Sequence, residues 1–314
     1  MRLPDHARGA ENSRGCSRGC RRCGAAGGPR FAAERRRMNG IRRLWRIFLL
    51  ALWSLFFFPA VTLCCVFRTK WSAVCSAAKW TQLWAAGGAF LIGMRIRVVG
   101  DPGRAAGKLV VSSHTGPLDV LAEGALFPVR FAPQAEMRHW PFFGALTALS
   151  RPVWVDRRRR TLSGRTAEEI AGTLQHGLAM LVYPEGTSSD GRHGLLPFKS
   201  TAFEAALRTG AELLPVLVFH RALGEAAFNP AWYGNTAFLP HIWRILGLKG
   251  VHTCVYIMPE LSPVQGEPRK ELAARTYRVM SGYYEKCLAD FTACGTAALD
   301  REDISDAEIK IARE

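Results

Sequence analysis

A histidine and an aspartate stand five positions apart in the stretch Ser112-Ser113-His114-Thr115-Gly116-Pro117-Leu118-Asp119. On one continuous helix their side chains would point about 140° apart, because each residue turns the helix by about 100°. Pro117 suits the first helical position, where its missing N–H costs nothing, and Gly116 gives the preceding turn freedom. We therefore expect His114 in a loop and Asp119 in the first turn of a helix, reaching back to the imidazole.

This pair supplies the base and the orienting acid of a catalytic triad, but no serine stands beside it. A hydroxyl of the substrate could take the place of that serine. The competing interpretation is an ordinary strand-to-helix turn with an acid near the helix start and a chance histidine, and these residues alone do not decide between the two. None of the apolar strand-like runs is followed by a Gly-x-Ser-x-Gly nucleophile elbow, which argues against a soluble hydrolase of that kind.

Positive charge is concentrated at the N-terminus. The 314 residues carry a formal net charge of +16, and +12 of it lies in the first 70, which hold fifteen basic residues against three acidic ones. A hydrophobic content of 48% allows a sizeable core in one large domain or two small ones. No element that reads nucleic acid is recognisable, so nucleic acid is not an expected partner. A basic flank beside an apolar segment instead indicates anionic lipid headgroups.

Residues 1–37 are rich in Arg and Gly, lack apolar periodicity and are predicted to be a disordered basic tail. Three cysteines lie close together there without an evident fourth ligand, so we expect no metal site. Because Met38 stands at the end of this tail, an alternative is that the tail reflects a mis-assigned start. The later cysteines lie in apolar or helical contexts and are predicted to be packing residues: Cys64, Cys65, Cys75, Cys254, Cys287 and Cys294.

The twenty residues from Ile47 to Val66 carry no charge and are long enough to span a hydrocarbon core of ~30 Å. More basic residues precede this stretch than follow it, which places its N-terminal side in the cytoplasm. A second apolar stretch, Trp71 to Met94, is broken by Lys79 and resembles an interfacial helix. We favour a membrane-anchoring helical hairpin over residues 38–95 that keeps the main domain cytoplasmic. A single crossing and a buried helix of a soluble protein are the alternatives.

After Arg95 the pattern is that of an α/β domain, predicted to cover residues 96–290 and to be followed by a tail over 291–314. Short apolar runs alternate with helical ones, so we expect a largely parallel sheet flanked by helices. The predicted strands are 96–99, 109–112, 129–132, 153–155, 179–182, 213–218 and 253–257. The predicted helices begin near Pro117 and Pro141 or cover 166–176, 200–208 and 269–288.

A second stretch with chemical potential runs from Leu181 to Gly191 and again follows an apolar strand. Open α/β sheets bind ligands at the carboxyl ends of their strands. There Glu185, Gly186 and Thr187 could hold a polar acceptor through a carboxylate, a backbone N–H and a hydroxyl. A simple surface turn is the alternative.

Four blocks in fixed order resemble the lysophospholipid and glycerolipid acyltransferase family, over roughly residues 95–290. These blocks are His114-Thr-Gly-Pro-Leu-Asp119, Val153-Trp-Val-Asp-Arg157, Tyr183-Pro-Glu-Gly-Thr-Ser188 and Leu214-Pro215-Val216. The resemblance implies the glycerolipid acyltransferase fold and an O-acyltransferase of phospholipid biosynthesis. It further implies a membrane location, with a bacterial inner membrane and a cytoplasmic catalytic domain as the expected arrangement.

The resemblance also implies a mechanism. His114 would act as general base on the hydroxyl of a lyso-lipid, and Asp119 would hold its ring. The hydroxyl would attack the thioester of acyl-CoA or acyl carrier protein directly, with no acyl-enzyme and no cofactor or metal. The residues implied to bind substrate are Gln134, Arg157, Glu185, Gly186, Thr187, Ser188 and Pro215. A member that binds lipid but has lost turnover is the alternative.

Two departures leave the acceptor open. Gln134 and Ser188 stand where members that form phosphatidic acid typically carry a lysine and an arginine toward the acceptor phosphate. Arg157, Arg192 or Lys199 could replace the missing charge. The residues after Thr187 also resemble branches that acylate lyso-ornithine lipid, so both that lipid and 1-acylglycerol-3-phosphate remain candidates. Backbone N–H groups near His114 or Gly186 are candidates for stabilising an oxyanion.

Overall fold

The computed structural model describes residues 29–156 and 163–299. The site residue Arg157 and most of the predicted N-terminal tail, residues 1–28, lie outside the described residues, as do residues 300–314. The strands are β1 (Met94–Val99), β2 (Leu109–Ser112), β3 (Val129–Phe131), β4 (Ala179–Val182), β5 (Leu213–Leu223) and β6 (Gly250–Ile257). The α-helices are α1 (Pro29–Val66), α2 (Lys70–Leu91), α3 (Pro117–Leu126), α4 (Phe143–Leu149), α5 (Ser163–Gln175), α6 (Phe203–Thr209), α7 (Phe238–Gly247) and α8 (Arg269–Leu299).

The strands form one sheet in the order β1-β6-β5-β2-β4-β3. Neighbouring strands are parallel except β5 and β6, which run antiparallel. The predicted α/β class with a largely parallel sheet is confirmed. Every residue of β2 and β4 is buried, as expected for central parallel strands covered on both faces.

Alternate residues of β2 pack into different layers, because successive side chains point to opposite faces of a sheet. Leu109 and Val111 join a core that includes residues of α5, α6 and α8. Val110 faces the other way, into a core that includes residues of α3 and α7. The sheet is therefore sandwiched between two helical layers, and its central strands are fixed on both sides.

The parallel pairing of β2 with β4 sets where the two chemical stretches leave the sheet. Val111 is in register with Val182, so both strands end at the same edge. The segment after Ser112 and the segment after Val182 consequently emerge side by side. This is the edge at which open α/β sheets carry their ligand sites.

Helices α1 and α2 form a hairpin that lies along the α/β domain. Small buried residues of α2, including Ala73 and Ala77, pack against Phe57 and Val61 of α1. Over the described residues, one helix is long and apolar enough to cross a membrane, the part of α1 from Arg37 to Val66. Large apolar side chains of α1 are exposed along its outer side: Leu44, Trp45, Phe48, Leu52, Leu55, Phe56, Leu63 and Val66.

The basic flank of this helix contacts protein. The guanidinium of Arg46 donates to the carbonyls of Leu246, Leu248 and Lys249 at 3.1, 2.8 and 3.2 Å. Arg42 donates in the same way to Gly247 at 2.9 Å. These carbonyls lie at or just beyond the C-terminus of α7, where helices leave acceptors unpaired and favour positive charge. Two of the arginines that the sequence assigns to lipid headgroups therefore cap a helix of the domain.

The structure corrects four elements of the expected pattern. Residues 29–37, predicted to belong to the disordered tail, form the first part of α1, and residues 291–299, predicted to be a tail, continue α8. Residues 153–155 are not a strand, because only Val155 forms a bridge, with Gln134, while the Val153 N–H reaches the Phe131 carbonyl at 2.9 Å. Helix α7 was not foreseen. Its Pro240 lies in the first turn, where a helix tolerates a residue without an N–H.

Candidate active site

The turn between β2 and α3 has the geometry that the sequence predicts. His114 lies in the loop, Pro117 opens the helix and Asp119 is its third residue. Gly116 has φ 146°, and a Cβ placed on it would lie 3.0 Å from the Cβ of Trp232. Glycine is therefore required both by the backbone conformation and by the close approach of Trp232.

The imidazole of His114 is oriented by Asp119. The Nδ1 atom of His114 lies 2.9 Å from Oδ2 of Asp119, and the same oxygen accepts the N–H groups of Thr115 and Gly116 at 2.6 and 2.9 Å. Although burial opposes its ionisation, hydrogen bonds from His114 and from His220 hold the pKa of Asp119 well below its usual range. The carboxylate is thus a fixed negative acceptor for the ring N–H.

The other ring nitrogen of His114 is open. Its Nε2 atom has no hydrogen-bond partner among the described residues, and its side chain is 22% exposed while that of Asp119 is fully buried. In this arrangement Nδ1 carries the hydrogen and Nε2 is left to accept a proton. The described residues place no serine or cysteine within hydrogen-bond distance of Nε2.

The second oxygen of Asp119 has partners that the sequence did not suggest. Oδ1 accepts the Thr115 hydroxyl at 2.7 Å and contacts Nε2 of His220 at 2.7 Å. His220 stands on β5, within an apolar run 101 residues after Asp119. Local spacing carries no signal for such a contact.

Two further residues pack behind His114. The ring of Tyr183 stacks on the imidazole with centroids 4.0 Å apart, and its hydroxyl donates to Oε2 of Glu123 at 2.7 Å. Glu123 is fully buried, and desolvation followed by the charge of Asp119 raises its pKa to about 8. Its position could have been suspected, because residues four apart on a helix share one face.

The carboxylate of Glu185 is bound by backbone. Its Oε1 accepts the N–H of His114 and its Oε2 that of Leu196, both at 2.9 Å. Burial raises its pKa to about 7, opposed by these two hydrogen bonds. Glu185 was predicted to bind substrate. In the structure its carboxylate instead connects the His114 loop to the segment around Leu196.

The rest of the Glu185 loop lies beside His114. The N–H of Ser189 donates to the His114 carbonyl at 2.8 Å, and the Ser188 hydroxyl donates to the Trp232 carbonyl. Thr187 is exposed. Gly186 has φ 75°, and the Nζ of Lys199 lies so close that an added Cβ would overlap it.

The predicted oxyanion donors are mostly occupied. The N–H groups of His114, Thr115 and Gly116 bind carboxylates, and that of Gly186 binds the Tyr183 carbonyl at 3.1 Å. Among the described residues, the N–H groups at positions 187 and 188 have no partner. They are therefore free amide donors of this loop, as are the N–H groups at positions 185 and 190.

The remaining predicted residues are farther from the imidazole. Gln134 follows β3 and forms a bridge with Val155. Pro215 lies within β5, in register with Val111 of β2, and is buried in the sheet. The structure shows neither residue in contact with His114.

Six cysteines lie in the described part of the chain and all are free. Burial raises the pKa of Cys254 to about 11 and also raises that of Cys287, which suits packing rather than attack as a thiolate. Over residues 29–156 and 163–299, no group of three or more His, Cys, Asp and Glu residues could hold a metal ion.

An oriented imidazole with an open Nε2, at the carboxyl edge of an α/β sheet, is an arrangement that can activate a hydroxyl of a bound molecule. The acyltransferase family profile matches residues 95–218. This match, together with a lyso-ornithine lipid O-acyltransferase that is 30% identical and covered over 76% of its own length, shows that the chain belongs to the acyltransferase family. Its fold is shared with the crystal structure of the 1-acyl-sn-glycerophosphate acyltransferase PlsC from Thermotoga maritima, with a TM-score of 0.58, 20% identity, and coverage of 81% of this chain and 98% of that one.

Curated relatives carry two kinds of name. A lyso-ornithine lipid O-acyltransferase of Brucella abortus is 39% identical over 50% of this chain and 63% of its own length. One from Pseudomonas aeruginosa is 30% identical over 64% of this chain and 76% of its own length. A 1-acyl-sn-glycerol-3-phosphate acyltransferase of Neisseria gonorrhoeae is 31% identical over 46% of this chain and 56% of its own length.

Proposed function

We propose that this protein is a membrane-bound O-acyltransferase that moves a fatty acyl group from a thioester to the free hydroxyl of a lyso-lipid. The observation that carries the proposal is the open Nε2 of His114, held in place by the 2.9 Å contact of Nδ1 with Asp119. Since no nucleophile of the described chain reaches this nitrogen, the hydroxyl to be activated belongs to the substrate.

In the proposed reaction, Nε2 of His114 takes the proton of the acceptor hydroxyl, while the oxygen of that hydroxyl forms a bond to the thioester carbonyl carbon. The carbonyl electrons move onto oxygen, and the resulting tetrahedral intermediate collapses by breaking the carbon–sulfur bond. The imidazolium then returns the proton to the leaving thiolate. Asp119 stabilises the imidazolium between the two steps because it remains ionised.

The proposed donor is acyl-CoA or acyl carrier protein, and the proposed oxyanion donors are the N–H groups of Thr187 and Ser188. Two features support the choice of these N–H groups as oxyanion donors. Both groups lack partners among the described residues, and the next residue, Ser189, donates to the His114 carbonyl at 2.8 Å. Preorganised amides at this place would stabilise charge that develops on the thioester oxygen.

For the acceptor we propose lyso-ornithine lipid, whose headgroup carries a carboxylate and an ammonium where a phospholipid carries phosphate. This choice is supported by the names of the Brucella and Pseudomonas relatives and by the uncharged Gln134 and Ser188. The Nζ of Lys199, against Gly186, offers one cation for an anionic group. That cation and the Neisseria relative keep 1-acylglycerol-3-phosphate as the second candidate.

The test is an acyl-transfer assay of detergent-purified protein with both lyso-lipids and both thioester donors. We expect ester formation with lyso-ornithine lipid, and His114→Ala should lower kcat by about 10²–10⁴-fold. His176→Ala is the matched control, because that exposed histidine directly follows α5 and stacks on Trp71 of α2. Undiminished transfer by His114→Ala would contradict the mechanism, and a preference for the phosphate acceptor would contradict the acceptor assignment.

The proposed membrane attachment uses the outer side of α1, whose apolar side chains would enter the bilayer while the α/β domain stays on the cytoplasmic side of a bacterial inner membrane. The double variant Leu55→Glu/Leu63→Glu should lower recovery with liposomes in a flotation assay. Both leucines are about 70% exposed, so the thermal midpoint in detergent should not change. Val264→Glu, at an exposed apolar residue of a distant loop, should float like the parent protein.

A further inference from the structure

A second histidine, His220, contacts the carboxylate that orients His114. Its side chain is 2% exposed and lies between two polar partners, Oδ1 of Asp119 at 2.7 Å and the hydroxyl of Thr253 at 2.8 Å. We propose that His220 is a positioning residue for acyl transfer, which fixes one oxygen of Asp119 so that the other stays aimed at His114. This inference rests on the proposed function.

The hydrogen bonds divide the carboxylate into two halves. Oδ2 receives the donors of the loop, namely Nδ1 of His114 and the N–H groups of Thr115 and Gly116. Oδ1 receives the Thr115 hydroxyl and His220. His220 is the one donor in this set that comes from outside residues 114–116, so it anchors the carboxylate to the sheet. Without it, Asp119 would be held only by the loop that it is meant to orient.

The strand pairing fixes the position of His220. In the antiparallel ladder of β5 and β6, His220 stands directly opposite Thr253. Side chains of such a pair project to the same face and lie within contact distance. The Thr253 hydroxyl, which has no other partner among the described residues, can donate to Nδ1 of His220. The ring then carries its hydrogen on Nε2 and presents it to Asp119.

The set of partners also explains why a histidine stands here. Asp119 is ionised and can only accept, so the group that faces Oδ1 must donate. With an apolar residue at position 220, the buried Oδ1 would keep only one hydrogen-bond donor, the Thr115 hydroxyl. The carboxylate could then rotate about its terminal bond, and the imidazole of His114 would lose its fixed direction. Misplacement of a base is costly because proton transfer needs hydrogen-bond geometry.

The test compares His220→Phe, which removes the donor and keeps a planar ring, with His220→Gln, whose amide can donate to Oδ1 and accept from Thr253. We expect His220→Phe to lower kcat about 10- to 100-fold, with KM for donor and acceptor changed less than about 2-fold, because one charge-assisted bond is lost. His220→Gln should recover most of this loss. Thr253→Val should give a smaller loss in the same direction.

His252→Phe is the matched control. His252 is the residue before Thr253, so its side chain points to the opposite face of β6, where it stacks on Phe291. His252→Phe should therefore leave kcat unchanged. Thermal midpoints in detergent are measured for all four variants. Should His220→Phe fail to fold, the comparison of His220→Gln and Thr253→Val with the parent protein still decides the question.

Three outcomes would overturn the inference: a folded His220→Phe with the parental kcat, a His220→Gln as slow as His220→Phe, or an increase in KM with kcat unchanged. The last result would mean that His220 binds substrate directly. These outcomes are distinct from failure of the proposed function, in which the parent protein itself would transfer no acyl group to either lyso-lipid.

Discussion

The ring of Tyr183 lies parallel to the imidazole of His114, with an interplanar angle of 17° and centroids 4.0 Å apart. Tyr183 and Glu185 both follow the end of β4. Tyr183 covers one face of the His114 ring, and the Glu185 carboxylate accepts the backbone N–H of His114. The face of the imidazole is thereby covered by protein. Its Nε2 remains at the open edge.

Two substitutions of Tyr183 should separate the effect of its ring stacking from the effect of its hydroxyl. Tyr183→Phe keeps the ring, and we expect kcat within about 3-fold of the parent with a loss of stability of about 1 kcal/mol from the missing bond to Glu123. Tyr183→Leu removes the stack, and kcat should fall up to about 10-fold. Steady-state kinetics and thermal unfolding of both variants check this. Equal kcat for the two would show that the stack is irrelevant.

Glu123 should make stability depend on pH. Its pKa is raised from an ordinary value near 4.5 to about 8, so the folded protein keeps a proton that the unfolded chain has released. The contribution of Glu123 to stability must therefore fall as pH rises from about 4.5 to about 8, by at most about 1.4 kcal/mol per pH unit. Glu123→Gln should flatten this slope. Unfolding measured between pH 5.5 and 7.5 tests it.

The matched control for that slope is Glu285→Gln, because Glu285 is exposed on α8. It should show the slope of the parent protein. An identical pH dependence of Glu123→Gln and the parent would mean that Glu123 is ionised in the folded state.

Glu185→Gln should lower kcat rather than raise the acceptor KM. The carboxylate accepts two backbone N–H groups, from His114 and Leu196, and an amide can accept only one of them. Its NH2 group would face the other donor and displace the His114 loop. We expect a loss of about 10-fold or more in kcat. A selective rise in the acceptor KM would instead support the substrate-binding role predicted from the sequence.

Arg46→Met should destabilise the protein. It leaves the carbonyls of Leu246, Leu248 and Lys249 without their donor in a largely buried place, at a cost of at least about 2 kcal/mol. Thermal unfolding in detergent measures the effect. Arg37→Ala, at an exposed position of the same helix, is the control and should unfold like the parent. If the two variants behave alike, the cap on α7 contributes nothing to stability.

The His114 turn could be predicted because its causes are local. Gly116, Pro117 and Asp119 lie within four positions, and each has a preference set by its own backbone or by the start of a helix. The sheet was likewise predictable from short buried runs. By contrast, residues 153–155 have the composition of a strand but do not form one. They lie beside residues 131–135 and are joined to them by one bridge at Val155 and a few backbone hydrogen bonds.

The contacts that the sequence did not reveal join residues far apart in the chain. His220 is 101 residues from Asp119, and Arg46 is 202 residues from Leu248. Nothing in the neighbourhood of His220 distinguishes it from a core residue of a strand. Arg42 and Arg46 stand beside an apolar segment, so local composition suggests lipid headgroups, and only the packing of α1 on α7 shows that they bind carbonyls.

The attachment of α1 at two places has a consequence for how the enzyme meets its substrates. Arg42 and Arg46 bind the end of α7, and the C-terminal half of the helix packs on α2, so α1 cannot roll about its own axis. In the proposed attachment, the depth and tilt of the site at the bilayer are then set by the fold itself. The search for a lyso-lipid becomes lateral diffusion in two dimensions, and every encounter approaches the His114 edge from the same side.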